Sequence, residues 1–131
     1  MAEFIAILCA MSFPPWEATE IADACKRNGL DRELWPIVAA LRKTENGGPG
    51  REFGILDKRA DTYRKQAGWA AYQVKIDHAR WSKLSAPGKK PFLVWFSAKY
   101  APLGAKNDPG GLNSNHYKNL AYWTNRIQGG K

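Results

Sequence analysis

Two cysteines, two histidines and no long hydrophobic run leave this chain of 131 residues few of the usual routes to metal chemistry or to a membrane. His78 and His116 have no second histidine or cysteine at metal-ligand spacing, so no metal and no other cofactor is expected. Each is read as a core or surface histidine rather than a catalytic base. Cys9 and Cys25 read as small buried hydrophobes in the reduced state; a disulfide between them would matter only after export. The glycine-rich run Gly47-Gly48-Pro49-Gly50 lacks the Lys-Ser/Thr pair of a phosphate loop, and no Gly-x-Ser-x-Gly elbow is present. The apolar start MAEFIAILCAMSFPP has no basic leader, carries Glu3, offers no clear small-residue cleavage site and is too short to span a bilayer. The expectation is a chain made in the cytoplasm without a signal peptide. Repeats, low-complexity tracts and linkers are also missing, which points to one domain over residues 1–131, acting as a monomer.

What the chain has in quantity is positive charge and aromatic rings. Twenty Lys and Arg against twelve Asp and Glu give a net charge of +8. That favours an anionic partner: nucleic acid, an acidic membrane surface or a polyanionic wall polymer. The cations are scattered, with only pairs such as Arg42-Lys43, Arg64-Lys65 and Lys89-Lys90, so nucleic acid is not the expected partner. Six Trp and five Tyr are enough to fill a core and also to line a groove that stacks on flat ligands, sugar faces included.

Periodicity predicts a mainly helical chain of about six helices with one small extended segment or hairpin. A short apolar helix covers 3–12. A second opens at Pro15 and stops at Gly29. A third is capped by Asp31, with regular turns starting nearer Glu33 to Pro36 because of the proline. Arg51 to Leu56 alternates as a short extended arm. A long helix from about Ala60 to Leu84 carries Tyr63, Ala67, Ala70, Val74, His78 and Trp81 on one face, which makes it the candidate central core helix. Its adjoining face holds Gln66, Trp69, Gln73, Asp77 and Arg80, either a cleft wall or an ordinary solvated face. Pro91 to Tyr100 forms an apolar helix, the turn-rich stretch Leu103 to Leu112 forms a loop, and Asn113 or Ser114 caps a last helix through Tyr117, Leu120, Ala121, Thr124 and Ile127.

The stretch Thr44 to Leu56, TENGGPGREFGIL, carries the candidate chemistry. Leu34, Ile37, Val38 and Leu41 recur at helical spacing, and about 100° per residue places Glu45 roughly 20° from Leu34 on that stripe. The glycines and proline then stop the helix, leaving a half-buried carboxyl at a helix C-terminus. Burial and the partial negative charge of the helix end both disfavour the anion, which suits a general acid. Arg42 or Arg51 would oppose this by pairing with Glu45. Glu52, across the turn, is either a second catalytic carboxylate or a brace paired with Arg51, Lys58 or Arg59; Asp57 and Asp61 follow it. Glycoside hydrolysis uses such a protonated acid, in many enzymes with a second carboxylate about 5 to 9.5 Å away.

Glu45-Asn46-Gly47-Gly48, Glu52-Phe53-Gly54-Ile55, Tyr100-Ala101-Pro102 and Asn107-Asp108-Pro109 together resemble the lysozyme-like superfamily, small phage lysozymes (endolysins) and lytic transglycosylases in particular, over roughly Leu34 to Arg126. The resemblance implies an α+β lysozyme-like fold. It also implies a muramidase or lytic transglycosylase that cuts the β-1,4 bond between N-acetylmuramic acid and N-acetylglucosamine in peptidoglycan, with Glu45 as general acid and Glu52 as helper. Aromatic and amide side chains around the glycan would be drawn from Phe53, Tyr63, Gln66, Trp69, Tyr100 and Asn107. The Asp and Thr that hold a water in many phage lysozymes have no counterpart at the family's spacing here. The product is therefore either a hydrolysed reducing end or a 1,6-anhydro sugar. Delivery to the bacterial wall would be through a holin or as part of a bacteriophage virion. Two rival readings remain: a non-catalytic wall-binding or virion structural domain of the same fold, and a basic nucleic-acid-binding helical domain.

Overall fold

Apolar residues at three-and-four spacing fold into six α-helices in the computed structural model, which describes residues 1–101 and 115–129. They are α1 (Ala2–Ala10), α2 (Pro15–Arg27), α3 (Trp35–Glu45), α4 (Tyr63–Ser82), α5 (Phe92–Tyr100) and α6 (His116–Gly129). A single 3₁₀ turn, Arg32–Leu34, precedes α3 and resolves the conflict between the Asp31 start and Pro36: the regular helix waits until Trp35, where a proline at the next position costs no hydrogen bond. No strand occurs among the described residues; Arg51 to Leu56 runs as irregular loop containing a turn at Glu52 and Phe53, in place of the expected extended arm. Alternation over so few residues does not by itself make a strand, and among the described residues no segment pairs with it in a ladder.

The centre of the molecule is α3 rather than the longer α4. Trp35, Ile37, Val38, Ala39, Ala40 and Leu41 are all buried, so the helix is covered nearly all round, as expected for one enclosed by neighbours. Helices α2, α4 and α6 pack on it, α6 most extensively, and α6 buries Leu120 and Ile127. Full burial of side chains such as Leu41, Leu120 and Ile127 contributes about 2 kcal/mol each. The long helix α4 packs on α2, α3 and α5 and exposes its outer face. Its start is capped by Thr62, whose hydroxyl accepts the Lys65 N–H at 3.2 Å.

Both cysteines are free, Cys25 fully buried and Cys9 partly so, and burial pushes the Cys25 thiol far up. No described helix is long and apolar enough to cross a membrane, and no cluster of three or more His, Cys, Asp or Glu among the described residues is placed to hold a metal ion.

Candidate functional site

Helix α3 ends at Glu45 because Asn46 takes the left-handed conformation (φ 45°, ψ 40°) and its N–H returns to the Arg42 carbonyl at 3.0 Å. The stop thus belongs to Asn46, one residue before the glycines. Gly47 serves a different need: a Cβ there would lie 1.8 Å from the Arg51 carbonyl oxygen, so only glycine lets the chain fold back this tightly.

The Glu45 carboxyl is held at both of its oxygens. Its Oε2 lies 2.7 Å from His116 Nε2, at the first residue of α6. Its Oε1 packs against Gly54, where a Cβ would sit 2.2 Å away, and Gly54 itself is left-handed (φ 75°). Tyr100, near the end of α5, stacks on the His116 ring with centroids 5.9 Å apart and planes 25° apart. Burial, reinforced by the nearby Glu45 charge, holds the Tyr100 phenol well above its ordinary range, so it stays protonated and donates to the Phe53 carbonyl. The Glu45 side chain keeps 22% exposure, whereas His116 keeps 5%. The acid reaches solvent and its partner does not.

Neither arginine neutralises Glu45. Arg42 Nε donates to Glu17 Oε1 at 2.8 Å, and Arg51 Nη1 donates to the carbonyls of Gly50 and Ala60. The other acids of the loop are occupied locally. Glu52 is buried and its Oε1 accepts the Gly50 N–H at 3.1 Å, so it braces the turn through backbone rather than through the expected lysine or arginine. Asp57 accepts from Arg59 N and Nε on one oxygen and from Nη2 on the other; those hydrogen bonds hold its carboxyl down to about 2. Asp61 pairs with Lys65.

A groove of about 950 Å³ is lined by Gly54, Ile55 and Leu56 of the loop, by Trp69, Tyr72 and Gln73 of α4, and by Arg27, Asn28, Lys99 and Tyr100. Gly54 and Tyr100 belong both to this groove and to the Glu45 cluster, which places the two side by side. Trp69 and Tyr100 therefore line the groove, and so do Gln73 and Asp77 of the polar stripe on α4. Phe53, Tyr63 and Gln66 are buried and do not line it. Phe53 and Tyr63 pack edge-to-face at 5.3 Å in the core. Gln66 is fully buried; it accepts the Phe53 and Ile55 N–H groups and donates to the Ile55 and Ala60 carbonyls, tying the loop to α4. Asn107, the Asn107-Asp108-Pro109 turn and the expected caps Asn113 and Ser114 lie outside the described residues.

His116 is the residue that reading the sequence missed as part of the site. Extending the buried stripe Leu120, Thr124, Ile127 back by four lands on it, so its burial was legible. Its partners, Glu45 on α3 and Ser97 on α5, come from elements far along the chain. Comparison with protein-family models, with curated proteins and with solved structures finds no match.

Proposed function

We propose that this chain is a peptidoglycan-cleaving glycosidase of the lysozyme-like class, a muramidase or lytic transglycosylase, in which Glu45 is the general acid. The observation that carries the reading is the solvent-reaching Glu45 carboxyl at the end of the enclosed helix α3, beside a groove walled by Trp69, Tyr72 and Tyr100. Aromatic walls suit the flat apolar faces of pyranose rings, and the +8 charge favours approach to an anionic wall. The helical body described above would be the α part of an α+β lysozyme-like arrangement.

The Glu45 proton passes to the glycosidic oxygen as the C1–O bond breaks, and the carboxylate so formed takes a proton from the hydroxyl that attacks C1. That hydroxyl belongs to water in a hydrolase, or to the sugar's own C6 in a transglycosylase. With Glu52 on the Gly50 N–H and both Asp57 oxygens on Arg59, the geometry favours Glu45 for both proton steps and casts Glu52 as a helper that braces the turn. Turbidity loss of purified sacculi tests the reading. Glu45→Gln should lower the rate by about 10²- to 10⁴-fold; full activity in that variant rules out Glu45 as the acid. Tight binding of wild type to sacculi without release of soluble muropeptides would instead mark a wall-binding domain. The mass of released fragments separates the two products, since reducing and anhydro ends differ by one water.

A further inference from the structure

His116 is nearly as buried as any core residue, yet both of its ring nitrogens are engaged: Nδ1 lies 2.6 Å from Ser97 Oγ and Nε2 lies 2.7 Å from Glu45 Oε2. Ser97 is itself buried at 3% exposure, and His116 Nδ1 is the only hydrogen-bond partner of its hydroxyl among the described residues. Ser82 and Thr19 donate back to the carbonyls of His78 and Pro15 one turn earlier, whereas the buried hydroxyls of Thr44 and Thr124 have no partner among the described residues; Ser97 differs from both in having a side-chain partner. A buried hydroxyl that only accepted would leave its hydrogen unpaired, at a cost of about 1–3 kcal/mol. Donation from Ser97 to Nδ1 avoids that penalty and decides the tautomer: the neutral ring carries its proton on Nε2 and gives it to Glu45 Oε2.

We propose that His116, oriented by Ser97, is a positioning residue for Glu45: its Nε2–H holds Oε2 and so assigns the proton traffic to Oε1. Oε2 can accept the imidazole N–H whether the carboxyl is neutral or ionised, so the relay stays in place through both steps. The proton leaves Oε1 for the departing sugar oxygen as the C1–O bond breaks, and one returns to Oε1 from the incoming hydroxyl as the new bond to C1 forms. Gly54 is part of the same device, because a Cβ at that position would cover Oε1 at 2.2 Å. The Tyr100 ring stacked on the imidazole keeps it from turning, and Ser97 and Tyr100 stand three residues apart on one face of α5, where both reach it.

The activity arm of the test rests on the glycosidase reading; the spectroscopic arm does not. With only two histidines, ¹⁵N-histidine labelling of the full chain resolves both rings, and His78→Gln assigns them. The expected result at alkaline pH is a His116 ring held as the Nε2–H tautomer in wild type and a mixed tautomer population in Ser97→Ala. An Nδ1–H tautomer in wild type, or an unchanged spectrum in Ser97→Ala, overturns the proposal. On sacculi, His116→Leu and Ser97→Ala should lower kcat by on the order of 10²-fold and 10-fold, with KM within about twofold, because a misaimed carboxyl harms chemistry rather than binding. His116→Gln, whose amide N–H can reach Oε2, should recover part of the loss. Unchanged kcat in Ser97→Ala beside an active wild type also overturns the proposal, and this small substitution keeps the test valid if His116→Leu fails to fold. An inactive wild type that still shows the Ser97-dependent Nε2–H tautomer counts against the glycosidase reading alone.

Discussion

Glu45 stands where the loop between α3 and α4 begins and Asp57 lies within that loop, and their carboxylates are held in opposite ways. Asp57 is fixed by Arg59, its neighbour two positions on, with both oxygens committed at an exposed site. Glu45 is fixed by His116 from α6, backed by Ser97 and Tyr100 from α5 and hemmed by Gly54 from the loop. An acid satisfied by its own neighbours is anchored as an anion and is a poor proton donor. One satisfied across the fold on a single oxygen keeps the other available, and needs the whole tertiary structure to stay so.

The largest effect is expected where the loop comes off α4. Gln66→Leu removes four hydrogen bonds and buries the stranded Phe53 and Ile55 N–H groups, so it should destabilise by about 3 kcal/mol and lower Tm by on the order of 10 °C in a thermal melt. A Tm within about 2 °C of wild type would mean that the loop is held by other contacts. Gly54→Ala acts on Oε1 directly. It should cost about 1 kcal/mol for the left-handed backbone and, by displacing the carboxyl, on the order of 10²-fold in sacculus cleavage. A fully active variant would show that Oε1 has room to move aside.

Glu52→Gln sharpens the contrast at lower amplitude. The amide oxygen can still accept the Gly50 N–H, so activity should stay within about threefold and the fold should be unchanged. A loss like that of Glu45→Gln would instead make Glu52 a second catalytic carboxylate. Asp57 offers the smallest effect. Its folded-state value is depressed to about 2 against an unfolded value of about 3.9, so its contribution is present above about pH 4 and fades as pH falls towards 2. Asp57→Asn should leave Tm at pH 7 nearly unchanged and slightly flatten the acid limb of a Tm-against-pH curve; a large change at pH 7 would contradict the local picture.

The proton-donor candidate and the frame around it were legible at different depths. Glu45 fell on the stripe of α3, and Trp69, Gln73 and Asp77 fell on the stripe of α4, because helical periodicity fixes which residues share a face. Gln66 fell on the same stripe, read as a cleft wall or a solvated face, yet its side chain is fully buried and satisfied by the loop backbone. Periodicity gives an angle around the axis, not the depth at which a neighbouring segment covers it.

What the residues alone determined is local: the six helices, the half-buried carboxyl at the end of α3, and the aromatic supply for a groove, since each follows from backbone propensity and spacing over a few turns. Whom that carboxyl meets follows from how the helices pack. Arg42 went to Glu17, Glu52 to the Gly50 N–H, and a histidine with no partner in its own segment went to Glu45. A hydrogen bond depends on tenths of an ångström between atoms whose elements are joined by long stretches of chain, and only the packing of α3 and α5 on α6 sets that distance.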